Sequence, residues 1–254
     1  GRLNRALAAL YAQKARQARY RGLFCVVSDP VDPLCRAVLT ESNRAPSGEM
    51  DYQGLFSHQV RGFGLGVMNA RAAYYARKDP RFASFLTDGR SFGPHGEDLV
   101  IANSIRNYDD ALSRQLTEQA VRANLRMREL GFKPYIAPAL SPGALSLLLC
   151  LRGQWHCSST YLDGVFMGAR NRVLPTGTEL ERLPLPQALQ DRLQILRLDV
   201  DDLRRRLAVH IDKLGAVVGP HLLEQMRVVP RPAARERRNV VRKLQGRKER
   251  VRLA

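Results

Sequence analysis

Positive charge is concentrated at the two ends of this 254-residue chain, so only its middle is free to build a core. Of a formal +17, residues 1–24 and 227–254 together carry +15, and the 202 residues between them are nearly neutral. A self-repelling segment with few apolar side chains cannot bury enough surface to offset its conformational entropy. The expectation is therefore a compact body flanked by basic arms. At 44% apolar and 26% charged residues the whole is composed like a folded protein, with room for one large domain or two small ones.

Punctuation by Pro and Gly divides the chain further. Residues 1–22 read as a basic amphipathic helix or arm, 23–174 as a mixed or helical body, 175–226 as a small helical subdomain, and 227–254 as a basic tail. In the first segment Leu3, Leu7, Leu10, Tyr11, Ala15 and Ala18 recur at helical steps, opposite Arg2, Arg5, Lys14, Arg16 and Arg19. Gly22 to Val27 reads as a short buried strand ended by Pro30 and Pro33. A long helix is expected over 109–130, with Leu112, Leu116, Ala120, Ala123, Met127 and Leu130 on one face, Asn107 as its cap and Gly131 closing it. Pro134, Pro138 and Pro142 argue against regular structure before the leucine run at 144–151. The fold class these signals favour is predominantly α-helical, or α+β with few short strands.

Two stretches hold candidate chemistry, with a loop between them. Gly62, Gly64 and Gly66 precede a helical pattern, but the preceding FSHQVR is poor strand material and the spacing departs from a dinucleotide fingerprint, so tight packing or a turn is the better account. His95 lies in a Gly- and Pro-rich segment, 86–98, that reads as an exposed loop. Trp155-His156-Cys157 contains the single tryptophan. His156 and Cys157 are the candidate catalytic residues of a thiol- or metal-dependent enzyme, although neighbours on a strand point to opposite faces, which favours structural support over a dyad. Cys25, Cys35, Cys150 and Cys157 could ligate a metal, yet nine and six intervening residues within the pairs are too wide for a familiar zinc knuckle. No cofactor is expected, zinc being the one possibility.

Function is expected from the ends. Arginine outnumbers lysine 35 to 6, which suits forked contacts to phosphate. The leading expectation is an intracellular assembly subunit that binds RNA or DNA through Arg2, Arg5, Lys14, Arg16, Arg19, Arg235, Arg237, Arg238, Arg242, Lys243, Arg247, Lys248 and Arg250. The alternatives are the His156/Cys157 enzyme and a protein-only scaffold docking on acidic partners. No apolar run approaches the length needed to span a bilayer.

Overall fold

A computed structural model describes residues 2–96, 98–131, 137–162 and 164–193, without the side chains of Arg2 and 137–140. These residues fall within one compact unit, Gly1–Asp201; the remainder, including most of the expected helical subdomain and all of the basic tail, lies outside the described residues. The first helix, α1 (Arg2–Gln17), leads into strand β1 (Phe24–Val26), helix α2 (Val31–Ser42), β2 (Val60–Gly62) and α3 (Gly64–Lys78). After a short α4 (Phe85–Asp88) come β3 (Arg90–Phe92), β4 (Val100–Ala102), α5 (Asp110–Glu129) and α6 (Ala137–Leu151). The strands β5 (His156–Leu162), β6 (Val165–Leu174) and β7 (Gly177–Leu180) complete the fold.

Five strands form one sheet in the order β1-β2-β5-β6-β7, and β3 pairs with β4 in a second. β1 and β2 run parallel, joined through α2; the other pairs are antiparallel. A parallel pair needs such a crossover, whereas β5 and β6 turn directly through Gly164, whose φ of +90 favours glycine. A backbone bridge between Gly93 and Gly168 ties the end of β3 to the middle of β6. This mixed α/β, Rossmann-like architecture corrects the expected helix-dominated body with few short strands. β5 and β6, at seven and ten residues, are its longest strands.

The short strand expected within Gly22 to Val27 is β1, whereas β2, β5 and β6 escaped a sequence reading because many of their buried positions are polar. Arg61, in the middle of β2, is fully buried, and so are Ser158, Ser159 and Asn171. Burial of such groups is tolerable only when they are hydrogen-bonded. Arg61 Nη1 donates to Asn171 Oδ1 at 2.9 Å and Nη2 to Thr178 Oγ1, while Asn171 Nδ2 donates to the Ser158 carbonyl at 3.1 Å and to the Ala169 carbonyl at 2.9 Å. A network spread over β2, β5, β6 and β7 thus replaces the apolar alternation that normally announces a strand.

Apolar packing gathers where the helices meet the sheets. Leu65, Met68, Phe82, Phe85, Ile101 and Leu116 form a cluster between α3, α5 and the sheets; Val31, Leu34, Cys35, Val38 and Val60 form another beneath α2. Each large side chain so buried contributes about 1.5–3 kcal/mol. α5 is capped by Asp109, whose carboxylate accepts the Leu112 N–H at 2.9 Å, rather than by Asn107, and Gly131 follows it at φ +81. α6 forms across Pro142 despite the expected irregularity there. In α1 the expected leucine stripe is on the wrong side: Leu3, Leu7, Leu10 and Tyr11 are exposed, and the helix docks through Ala8, Ala12 and Ala15. Alanines permit close approach to α2, and Gln13 and Arg16 reach across to the Glu41 and Ser42 carbonyls and to Asp51. The first segment is therefore a docked helix and no arm.

Candidate active site

The carboxyl ends of β1 and β2 open on one rim, the position where ligands enter open α/β sheets. From β1 the chain passes through Asp29, joined to Pro30 by a cis peptide, into the first turn of α2 at Val31 and Asp32. From β2 it enters α3 with only Phe63 between strand and helix. The loop after β3 delivers His95 to the same place.

Several contacts fix His95. Its backbone N–H donates to Asp32 Oδ2 at 2.9 Å, and Nδ1 lies 3.0 Å from Asp29 Oδ1. Its Cβ rests over Gly64, where a methyl group would come within 2.6 Å of it. Upstream, Gly93 exchanges backbone hydrogen bonds of 2.9 and 3.1 Å with Gly168. The imidazole side chain is 18% exposed and that of Asp29 65%, so the pair faces solvent at the rim.

An ionised carboxylate can only accept, so Asp29 holds the proton of a neutral imidazole on Nδ1 and leaves Nε2 bare. Nε2 has no hydrogen-bond partner among the described residues. The hydrogen bond to His95 holds the Asp29 carboxyl below its ordinary range, aided by the charges of His95 and Arg71 and opposed by burial. Arg71, two turns into α3, makes no salt bridge among the described residues. Burial pulls its pKa down and the Asp29 charge pushes back. It remains a cation, and a guanidinium without an ion-pair partner can take a carboxylate through its fork of donors. Asp32 is buried, which raises its pKa, against the Ser159 hydroxyl, the His95 N–H and the His95 charge.

The residues singled out from sequence lie elsewhere. His156 and Cys157, adjacent on β5, go to opposite faces. His156 belongs to the polar network: Nδ1 donates to the Gln154 carbonyl at 2.9 Å, Nε2 accepts from Ser158 Oγ at 3.0 Å, and the ring stacks on Phe63. Burial lowers its proton affinity. Cys157 sits in the apolar cluster with Leu65 and Met68, its thiol pushed up to about 11 chiefly by burial, so thiolate is scarce near neutrality. Cys35 lies in a different cluster beneath α2, and burial likewise raises Cys25, to about 11, and Cys150. Among the described residues no three His, Cys, Asp or Glu side chains gather in a metal-binding group.

Of the expected phosphate-binding residues, Arg16 is bound to Asp51, while Arg5 and Lys14 are exposed along α1 and Arg19 is exposed just beyond its end. The side chain of Arg2, and Arg235, Arg237, Arg238, Arg242, Lys243, Arg247, Lys248 and Arg250, lie outside the described residues. His95 and Asp29 were missed because 65 residues separate them in sequence. Each stood in what read as ordinary loop, and only the DPVD pair of acids next to a strand end hinted at the rim.

The architecture is similar to that of several solved malate dehydrogenases. The enzyme from Aeropyrum pernix superimposes with a TM-score of 0.60 at 19% identity, covering 79% of this chain and 70% of its own. That from Plasmodium falciparum gives 0.58 at 15%, over 78% and 68% of the two chains, and that from Archaeoglobus fulgidus, solved in complex with NADH, gives 0.57 at 17%, over 79% and 68%. At such identities the likeness is one of fold. No known protein family and no curated protein matches the sequence.

This likeness corrects the functional expectations. The fold shared with these solved dehydrogenases stands against the expected nucleic-acid-associated assembly subunit, and of its expected phosphate contacts Arg16 is taken up by Asp51. RNA, DNA and acidic protein surfaces are withdrawn with it as partners. The expectation of no cofactor, or of zinc, is overturned as well: one of these structures carries NADH, and the cysteines are dispersed. No described helix is long and apolar enough to cross a membrane.

Proposed function

We propose that this chain carries the acid–base centre of a nicotinamide-nucleotide-dependent oxidoreductase acting on a small 2-hydroxy or 2-oxo acid. The observation that carries the proposal is the His95–Asp29 pair at 3.0 Å, set at the carboxyl ends of a parallel strand pair, with the Arg71 cation nearby. Malate, the substrate named for the proteins that share the fold, is a 2-hydroxy acid, and its chemistry matches these groups.

In the oxidative direction His95 Nε2 takes the proton of the substrate hydroxyl, and in the reductive direction the imidazolium returns it to the carbonyl oxygen. Asp29 holds the ring in the competent tautomer and stabilises its charged form. Arg71 is the group suited to the substrate carboxylate, whose placement would bring the hydroxyl to His95.

A nicotinamide nucleotide would supply the hydride exchange. The described residues do not provide its pyrophosphate with a cradle, which needs open backbone N–H groups at a helix start. Cβ atoms at Gly62, Gly64 and Gly66 would strike Val31 and Cys35, His95, and Ser146, so this turn is filled by the protein itself. The first turns of α2 and α5 carry Asp32 and Asp110, which repel phosphate. The proton chemistry is therefore what these residues support directly.

Calorimetric titration with malate, oxaloacetate and 2-oxo monocarboxylates, together with an NADH-consumption assay, tests the proposal. Binding of one such acid that is weakened tenfold or more by Arg71→Gln, and turnover that is abolished by His95→Gln, are expected. Failure of every acid to bind the native chain would refute it.

A further inference from the structure

We infer that Asp32 is a positioning residue for this centre, anchoring His95 through one carboxylate oxygen while the other places a second negative charge within the field of the imidazole. The inference rests on His95 as the proton-exchanging group. Asp32 Oδ2 accepts the His95 backbone N–H at 2.9 Å, but Oδ1 is buried and finishes no hydrogen bond of normal geometry, and neither does the Ser159 hydroxyl beside it. A buried carboxylate with one oxygen left unpaired is poorly compensated. Purely structural support for one loop needs only an acceptor oxygen, which a neutral amide also offers at a smaller desolvation cost.

What offsets the cost is charge. The start of α2 favours an anion, and the His95 cation favours it further once the imidazole is protonated. Asp29 and Asp32, three residues apart, thus approach His95 from two directions, the first at Nδ1 and the second at the backbone. Titratable and polar groups here are few: Asp29 beside the imidazole with the Arg71 charge acting on it, and Cys35 and the Ser159 hydroxyl near Asp32. Cys35 stays a thiol, because burial raises it well above its ordinary value. Proton uptake by His95 and proton loss by Asp32 are consequently linked.

Linkage is reciprocal, and this gives the test. In the intact 254-residue chain without substrate or cofactor, the Asp32 carboxyl carbon and the His95 ring proton are titrated by NMR. Replacing His95 by Gln removes a cation that favours the carboxylate, so the Asp32 midpoint should rise by about one unit. Asp32→Asn keeps an oxygen for the His95 N–H but removes the charge, so the His95 midpoint should fall by the same amount. A shift of the two midpoints by matching amounts supports the inference. An Asp32 midpoint unmoved in His95→Gln overturns it, and so does a His95 midpoint unmoved in a folded Asp32→Asn. Should Asp32→Asn fail to fold, the His95→Gln arm, made at the solvent-facing rim, decides alone. Because no ligand is present, absent acid binding would sink the proposed function and leave this result standing.

Discussion

Replacement of Gly64 by Ala is the sharpest probe of how the site is held. The added Cβ would stand 2.6 Å from His95 Cβ and 2.9 Å from Val31 Cγ2, against an optimum of about 3.5–4.0 Å for carbon pairs. Neither contact is the far end of a flexible side chain, so the His95 loop must retreat by about 1 Å. In an unobstructed helix the same change would stabilise by roughly 0.5–1 kcal/mol. Overpacking costs about 1–3 kcal/mol, leaving a net loss of up to about 2.5 kcal/mol. The functional effect should be much larger, because about 1 Å of misplacement can reduce a rate on the order of a hundredfold. Gly143→Ala is the control: its Cβ meets Val67 Cγ2 at 3.4 Å and Phe63 O at 3.6 Å, an ordinary fit within α6. Denaturant melts and acid titrations of both variants provide the readout. Equal stability of the two, with acid binding and turnover intact in Gly64→Ala, would refute the argument that glycine is required there to seat His95.

Other consequences can be checked with the same material. Asp29 has a depressed folded-state pKa, so its stabilising contribution is full above the unfolded carboxyl value and is lost as pH falls through the folded one; the stability deficit of Asp29→Asn should be visible near neutrality and shrink toward zero in acid. Leu7→Gln on the exposed side of α1 should change stability by no more than about 0.5 kcal/mol, whereas Ala12→Leu on its docked side should cost about 1–3 kcal/mol, as measured by urea melts. Cys157 should resist alkylation at neutral pH in the native chain and react after denaturation, since burial holds its thiol up at about 11; rapid native labelling at Cys157 would contradict the packing described.

Sequence alone determined the elements whose signals are local. The spacing of Leu112, Leu116 and Ala120 is enough to make α5, and Gly131 closes it wherever the rest of the chain lies. The opposed faces of His156 and Cys157 also follow from short-range geometry, the twofold period of any strand. The sheet itself was hidden, because β2, β5 and β6 bury Arg61, Ser158 and Asn171, residues that read as exposed until a cross-strand network supplies their partners. Even α1 shows the limit: its leucines define a stripe, but which stripe is buried depends on α2, whose surface accepts alanines. The candidate site was hidden for the same reason. Asp29, Arg71 and His95 sit on a strand end, a helix and a loop, and nothing along the chain joins them. Their chemistry arises from proximity, and only the closure of the sheet, with the Gly93–Gly168 bridge and the bare surface of Gly64, brings a carboxylate within 3.0 Å of an imidazole.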